Sequence, residues 1–302
     1  MRNLILIFCM LLFFVGSSSA QIDPLYAQYL NNPLLINPAY SGHNNNLNAV
    51  ASFRKQWAGF DGSPLTMTAS GHMSLVDNKM GAGLIVMKDQ AGANRNTEVH
   101  ATYAYRLDFK KMVLSFGLQT GFISFKTDYS DLDMSETDDP VFGNDQNYTK
   151  PSFGAGAILS SERFFVGLSV PRMLKAPVSI NDLDTDLYQQ HFYLTGAYVI
   201  FLNERIRMKP SFLLRGVKGA PLSADLNYSF NIDEKYTAGA FVRNFKTYGL
   251  MGQLKIKDNL RFGYAFELPS NRSVGTNFTT HEFMVGINLS VFSFHETSIT
   301  NF

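Results

Sequence analysis

The sequence contains almost no cysteine and no excess of charge. Cys9 is the only cysteine among 302 residues, and it lies inside the apolar run of residues 4–15. If the first 20 residues are removed, no thiol is left, which excludes disulfides and thiolate chemistry from the rest of the chain. The net charge is +1, so we expect no electrostatic field of the kind that attracts nucleic acid.

Catalytic motifs and long apolar runs are missing as well. Because no Gly-x-Ser-x-Gly elbow, P-loop or dinucleotide fingerprint occurs, we expect no enzyme and no cofactor, although an unrelated Ser–His arrangement stays open. After Val15 no apolar run approaches the ~20 residues that a transmembrane helix needs. Aromatic residues make up 14% of the chain and charged residues 17%, which is unusual for a soluble protein. A membrane protein with this profile has to be a β-barrel.

The first 20 residues have the pattern of a secretion signal. Arg2 carries a positive charge, residues 4–15 are apolar without interruption, and residues 16–20 are small and polar, ending at Ala20. The pattern predicts a Sec signal peptide that is cleaved after Ala20. The alternative is an uncleaved anchor, for which the apolar run is short. We therefore predict a signal peptide (1–20), a periplasmic N-terminal segment (21–46) and a barrel (47–302).

Alternation of apolar and polar residues begins at Leu47 and recurs throughout the remaining chain. In one example, Leu114, Phe116 and Leu118 fall on one side of a strand, and Ser115 and Gly117 fall on the other. Several such segments reach the 9–11 residues that a tilted membrane strand requires. The fold class predicted is all-β, a transmembrane outer-membrane β-barrel of about 14 antiparallel strands. The strands start near residues 47, 65, 80, 97, 112, 152, 164, 191, 205, 221, 235, 247, 259 and 281.

The connections between predicted strands sort by length. Short polar turns follow the even-numbered strands, and longer loops follow several odd-numbered ones, namely residues 126–151, 171–190, 269–280 and 88–96. Outer-membrane barrels have short periplasmic turns and long extracellular loops, whereas a soluble β-sandwich, the alternative fold, has no reason to sort its loops. The sorting predicts that both mature termini are periplasmic.

Residues 21–46 are too apolar for a free tail, and they contain two Asn-Pro steps. We expect this lead-in to be ordered, with part of it entering or capping the periplasmic mouth of the barrel as a plug. The alternative is a mobile arm that docks on a periplasmic partner. The candidate plug or partner-binding residues are Asn32, Pro33, Asn37, Pro38 and Tyr40 in the lead-in, and Arg54, Gln56, Trp57 and Phe60 in the hairpin that follows.

Two sets of polar residues were weighed as metal sites. Residues 126–151 contain seven carboxylates, which could hold Ca²⁺, but their spacing lacks the EF-hand pattern and favours a solvated loop. His72, Glu98 and His100 fall on the predicted lumen face, where a polar lining is favoured over a metal site. Charges of both signs share that face and indicate ion-pair ladders or plug contacts rather than a selective channel: Arg54, Glu98, Arg106, Asp225, Arg261, Glu267 and Glu282.

The opening stretch resembles a known family. The residues that carry the resemblance are Asp23-Pro24, Asn32-Pro33, Asn37-Pro38-Ala39-Tyr40-Ser41-Gly42 and Arg54-x-Gln56-Trp57-x-Gly59-Phe60-x-Gly62-x-Pro64-x-Thr66. They are similar to the PorP/SprF family, outer-membrane proteins of the type IX secretion system and gliding machinery of Bacteroidota, and the resemblance extends over the whole mature chain. It implies a barrel in the outer membrane that supports secretion or surface anchoring of adhesins through contacts with type IX components, a secreted adhesin, or both. A porin-like channel or ligand-uptake barrel is the alternative function.

Overall fold

The computed structural model describes residues 27, 29–43, 46–76, 78–128, 146–180, 183–186, 188–218, 220–257, 259–270 and 278–289. The predicted signal peptide lies outside these residues. So does most of the acidic loop that was weighed as a Ca²⁺ site, of which Asp128 is described. Within the described part of the chain, no helix is long and apolar enough to span a membrane.

Strands dominate the structure and form a closed antiparallel barrel. Consecutive strands pair around the wall, and β1 pairs with β17 to close it, while β10 and β11 occupy one position in the wall and β8 and β9 form a separate hairpin. The predicted barrel of 14 strands is thereby confirmed. The strands are β1 (Leu47–Lys55), β2 (Leu65–Leu75), β3 (Met80–Ala91), β4 (Asn94–Phe109), β5 (Met112–Thr127), β6 (Gln146–Ser161), β7 (Phe164–Val170), β8 (Pro177–Ile180), β9 (Leu183–Asp186), β10 (His191–Tyr198), β11 (Ile200–Phe201), β12 (Ile206–Val217), β13 (Ser223–Ile232), β14 (Tyr236–Arg243), β15 (Thr247–Ile256), β16 (Leu260–Pro269) and β17 (Thr280–Leu289).

The predicted loops at residues 88–96 and 126–151 were too long. β4, β5 and β6 each have 16 residues, and the connection between β3 and β4 is only residues 92–93. The ladder continues through polar pairs such as Asn94 with Thr127 and Thr127 with Gln146. Backbone pairing therefore extends these strands beyond the apolar pattern that marks the membrane-facing part.

The two faces of the strands are as alternation predicted. Phe116, Leu226 and Phe262 are 49%, 42% and 41% exposed on the outside, whereas Ser115 and Asn227 are 1% exposed and face inward. An apolar outside and a polar inside are the arrangement of a barrel whose solvent is lipid.

The barrel has two distinct ends. The short-turn end carries the connections 76–79, 110–111, 162–163, 202–205, 233–235 and 257–259, together with the first residue of β1 and the last residue of β17. The long-loop end carries the other connections, including residues 56–64 and 171–190. This sorting agrees with the one predicted, apart from the short connection 92–93.

Residues 27 and 29–43, which precede β1, lie inside the barrel. Two short 3₁₀ turns, η1 (Pro33–Leu35) and η2 (Pro38–Tyr40), each begin with a proline, whose fixed φ suits the first position of a helical turn. Gly42 lies beside His72 near the short-turn end, and Ala27 lies beside Glu282 near the long-loop end. The chain from 27 to 43 thus runs along most of the lumen. We call residues 29–43 the lumenal segment.

Candidate functional site

A row of small side chains crosses the inner wall beneath the lumenal segment. Each member pairs with the next on the neighbouring strand, from β2 to β7. Small side chains at consecutive register positions leave a shallow groove in a wall that is otherwise lined by longer ones. This small-residue row consists of Ser74, Gly81, Ala104, Gly117, Gly156 and Ser169.

The lumenal segment fills this groove at backbone distance. A Cβ added at Gly117 would lie 2.0 Å from the amide nitrogen of Ala39, and one at Gly81 would lie 2.0 Å from the carbonyl oxygen of Ser41. A Cβ at Gly156 would lie 2.1 Å from Oδ1 of Asn37. These distances are far below van der Waals contact, so the fit depends on the absence of a side chain at the three positions.

Hydrogen bonds from the wall bind the backbone of the segment. Ser115 Oγ donates to the carbonyl oxygen of Ala39 at 2.7 Å, and Ser169 Oγ donates to that of Ile36. The Ser41 hydroxyl lies 2.7 Å from Thr102 Oγ1. Because a buried backbone group without a partner is costly, these wall hydroxyls make burial of an irregular segment possible.

Asn37 binds both the segment and the wall. Its Oδ1 accepts a hydrogen bond from the Ala39 amide at 3.0 Å, which caps η2. Its Nδ2 donates to the carbonyl oxygens of Ala157 and Leu168, each at 3.2 Å. The side chain is 1% exposed and fixes the conformation of η2 and its position against β6 and β7 together.

Three other candidates of the lead-in are also buried in the lumen. Pro33 and Pro38 begin η1 and η2, and Asn32 accepts a hydrogen bond from Ser70 Oγ at 3.0 Å. Apolar side chains of the segment join apolar side chains of the wall in one cluster. The cluster consists of Tyr29, Leu30, Leu34, Ile36, Ala39, Tyr40, Ile85, Ile158, Phe165, Ala197 and Leu213.

The C-terminal part of the segment ends among aromatic rings and imidazoles. Tyr40 stacks on His43 with ring centroids 4.9 Å apart and meets His72 edge-on at 5.8 Å. His72 Nδ1 accepts a hydrogen bond from the Gly42 amide at 3.0 Å, which places Nδ1 in its unprotonated form. Burial, and secondarily the Arg106 guanidinium, lowers the pKa of His43 to about 4. This end of the segment therefore holds a neutral His43.

An ion-pair network occupies the opposite wall near the long-loop end. Arg54 pairs with Glu267 at 2.8 Å and with Glu282 at 3.1 Å, and Arg243 pairs with Asp225 at 2.8 Å and with Glu267 at 3.4 Å. Two arginines and three carboxylates thus share one buried site, as the mixed signs on the lumen face predicted. Glu282 also accepts the Ala27 amide at 2.8 Å, so the network binds the chain that precedes the segment.

A smaller polar group lies under residues 171–172. Glu98 accepts hydrogen bonds from His100 Nε2 at 3.0 Å and from Arg172 Nη2 at 2.6 Å. Beside it lies a cavity of about 40 Å³, lined in part by Leu35, which is room for water only. Glu98 and His100 face the lumen as predicted. Arg172 lies in a loop, so the alternation of strand residues could not predict its position.

Three of the four hairpin candidates lie apart from the lumenal segment. The Gln56 amide donates to the Pro64 carbonyl at 2.9 Å and closes the hairpin, and the Trp57 amide donates to Thr280 Oγ1 at 3.2 Å. Phe60 is 51% exposed and meets Phe278 edge-on with ring centroids 5.6 Å apart. These residues form an aromatic tip at the long-loop end, whereas Arg54 lies inside in the ion-pair network.

Sequence reasoning missed the small-residue row. Gly117 was visible as an inward-facing position, but its alignment with Gly81, Ala104 and Gly156 needs the register between strands. Inward-facing glycines recurring on several predicted neighbouring strands are the signal that could have located the groove.

Comparison with known protein families gives a match over most of the chain. A family described as "Type IX secretion system membrane protein PorP/SprF" matches residues 18–287. No curated protein matches the chain.

Several solved structures are similar in fold. The Acinetobacter baumannii outer membrane protein Omp33 has 10% identity and a TM-score of 0.48, over 82% of this chain and 100% of that one. A Pseudomonas aeruginosa FadL homologue has 10% identity and a TM-score of 0.45, over 82% and 89%. The TodX monoaromatic hydrocarbon channel deltaS2 mutant has 11% identity and a TM-score of 0.48, over 88% and 94%. Both the sequence identity and the TM-score are low for all three structures.

Proposed function

Because the chain belongs to the PorP/SprF family of type IX secretion system membrane proteins, we propose that this outer-membrane barrel supports secretion or surface anchoring of proteins through protein–protein contacts, without catalysis and without an open pore. The observation that carries the proposal is the occupied lumen. Leu34 is fully buried at 0% exposure and Asn37 and Tyr40 are nearly so, at 1% and 2%. A diffusion channel needs a water-filled lumen, and residues 29–43 fill this one.

The contacts of the lumenal segment also favour a permanent plug over a mobile arm. Asn37 bonds to the wall and to the Ala39 amide, Ser115 and Ser169 bind two carbonyl groups of the segment, and the small-residue row matches its shape. If the segment left the lumen, its apolar side chains and the lining of the wall beneath it would both be exposed to water. The proposal is therefore a barrel closed to solutes that acts by its surfaces.

We place the partner contact at the aromatic tip of the long-loop end. Phe60 exposes half of its surface there while the hairpin beneath it is held by Thr279 and Thr280. Exposed aromatic residues on a rigid support are favoured as anchors of protein interfaces. The partner is a type IX component, a secreted adhesin, or both.

Orientation follows from the sorting of turns and loops. We propose that the short-turn end, with the barrel ends Leu47 and Leu289, faces the periplasm. A tag inserted near Asp138 should then be labelled on intact cells, and one near Asp233 should not. Labelling at Asp233 would reverse the orientation and move the aromatic tip to the periplasmic side.

Affinity purification from solubilised outer membranes, with partners identified by mass, tests the function. We expect a type IX component or a secreted protein to co-purify with the wild-type barrel, and Phe60→Ala to reduce its recovery. Phe245→Ala is the matched control, since Phe245 is 71% exposed in another connection at the same end. If neither class of protein is recovered, the proposed role is wrong.

Conductance in planar bilayers tests the closed lumen separately. The purified barrel should show no steady conductance. Stable ion channels of uniform size would instead favour the porin-like or ligand-uptake alternative.

A further inference from the structure

The lipid-facing side of β13–β17 has a depression that the proposed function does not explain. Its volume is about 600 Å³. The floor consists of Ala238 and Gly252, which pair across β14 and β15 and face outward. The surrounding apolar side chains rise around this floor, and they are Ile232, Leu254, Phe262, Tyr264, Phe283 and Val285.

The depression results from two adjacent small residues. A Cβ added at Gly252 would meet nothing nearer than the Thr237 carbonyl oxygen at 4.0 Å, so the space above it is open. Gly252 pairs with Tyr264 on its other side, and Tyr264 pairs with Phe283. The two rings lie 4.9 Å apart and form one wall of the depression.

Lysines lie in the turns at one end of the depression. Tyr236 and Leu254 border it at the short-turn end, and the Lys255 amide donates to the Lys235 carbonyl at 2.8 Å across the adjoining turns. Lys235 and Lys257 are exposed there, and the acidic neighbours of Lys235, Asp233 and Glu234, form ion pairs with Arg205 and Arg207. Tyr236, which is 55% exposed, lies on β14 between Ala238 of the floor and Lys235.

We propose that the depression holds an acyl chain of one phospholipid, and that the phosphate of this lipid binds Lys235 and Lys257. The order of features along the wall matches the order of groups in such a lipid: an apolar tail site, a tyrosine at the level of the ester region, and cations at the level of the headgroup. A transmembrane segment of a partner would use the apolar floor but would give the two lysines no role. The inference is independent of the proposed function and needs only that the barrel lies in a membrane.

Native mass spectrometry of the detergent-purified full chain, titrated with dioleoyl phosphatidylglycerol, tests the acyl site. We expect one lipid to be retained by the wild type, and Gly252→Leu and Ala238→Leu to lose it because a side chain fills the floor. Ala101→Leu is the matched control, since Ala101 is an outward-facing alanine on β4, away from the depression. Heat-modifiable mobility in gel electrophoresis identifies the variants that fold. The two floor substitutions lie on different strands, so one variant remains informative if the other does not fold. Equal retention by floor and control variants would overturn the acyl site.

Native mass spectrometry also tests the phosphate site. Lys235→Glu with Lys257→Glu should weaken phosphatidylglycerol retention by roughly ten-fold or more, since the attraction of two cations to the lipid phosphate is replaced by repulsion. Lys110→Glu with Lys111→Glu, in another turn of the same end, is the control. Dioleoyl glycerol, which lacks the phosphate, should be retained weakly by every variant. Equal retention of both lipids would overturn the role of the lysines.

Discussion

The two walls of the lumen bind the same stretch of chain by different physical means. The small-residue row of β2–β7 contacts the lumenal segment at backbone distance and offers it hydroxyls but no ion pair. The ion-pair network, with members on β1, β13, β14, β16 and β17, accepts the Ala27 amide and pairs its own charges with one another. The small-residue row fits only a chain of matching shape. The ion-pair network offers polar contacts that depend little on the shape of the chain against it.

This difference sets how each wall responds to change. Close-packed backbone cannot move aside, so an added atom in the groove displaces the segment. An ion-pair network with two arginines and three carboxylates keeps some pairing when one member is lost. We therefore expect the largest effects from substitutions in the small-residue row.

Gly117→Val should have the largest effect. The new Cβ meets the backbone of Ala39, and we expect the segment to be expelled, with a penalty at or above the upper end of the ~1–3 kcal/mol range for overpacking. Limited proteolysis with chymotrypsin in detergent, followed by mass analysis, should then cut at Tyr29 and Tyr40, while the wild type resists there. Gly252→Val, on the lipid face, should resist like the wild type. If both variants resist equally, the groove does not hold the segment.

Glu267→Gln should have the next largest effect, on the stability of the whole barrel. The substitution removes the carboxylate shared by Arg54 and Arg243. Breaking a buried pair costs about 3 kcal/mol, and we expect somewhat less here because Arg54 keeps Glu282 and Arg243 keeps Asp225. Trp57 is the only tryptophan, so its fluorescence can follow urea unfolding in detergent. Glu234→Gln removes the exposed partner of Arg207 and should cost under about 1 kcal/mol. Equal midpoints for both variants would contradict the network's role.

Asn37→Ala should weaken the segment without expelling it. The variant loses three hydrogen bonds of one buried amide, which we expect to cost about 2 kcal/mol and to raise hydrogen exchange in residues 29–43. Asn203→Ala, in an exposed turn, removes two acceptor contacts far from the lumen and serves as the control. Unchanged protection in Asn37→Ala would show that shape alone holds the segment.

Acidification should have a graded effect that grows as the pH falls. Because the pKa of His43 is lowered to about 4 from its ordinary value of 6.5, the released segment takes up a proton at a higher pH than the bound one. Binding of the segment is thus strongest above pH 6.5 and weakens as the pH falls toward 4. Hydrogen exchange of residues 29–43 should increase over this window, and less so in His43→Gln. If the slope in His43→Gln equals that of the wild type, His43 is not responsible.

Alternation along single strands accounts for what the sequence could predict. It placed Phe116 and Leu226 outside and Ser115 and Asn227 inside, and it gave the number of strands, because a period of two is a local property. The burial of Leu34 and Tyr40 followed from their apolar character. Neither conclusion depends on which strands are neighbours in the barrel.

Properties that depend on register were beyond the sequence. The small-residue row exists only when Gly81, Ala104, Gly117 and Gly156 are aligned, and Arg172 reaches Glu98 from a loop. Alternation alone predicts that Ser115→Arg and Asn227→Arg are milder than arginine substitutions on the lipid face. That expectation fails at Ser115, because Ser115 is 1% exposed and binds Ala39, so an arginine would have to displace the segment.

Glu282 has a consequence for the order of assembly. It lies on the last strand, pairs with Arg54 on the first, and accepts the Ala27 amide from a residue 255 positions earlier in the chain. Contacts so distant in sequence form late, because the entropy of closing the intervening loop opposes them. The N-terminal part of the chain, which is synthesised first, therefore completes its contacts only after β17 has joined the barrel. A polypeptide cut short before β17 lacks the closing edge and the acceptor for Ala27 together, so incomplete chains expose to proteases an open edge and an N-terminal part that lacks this contact.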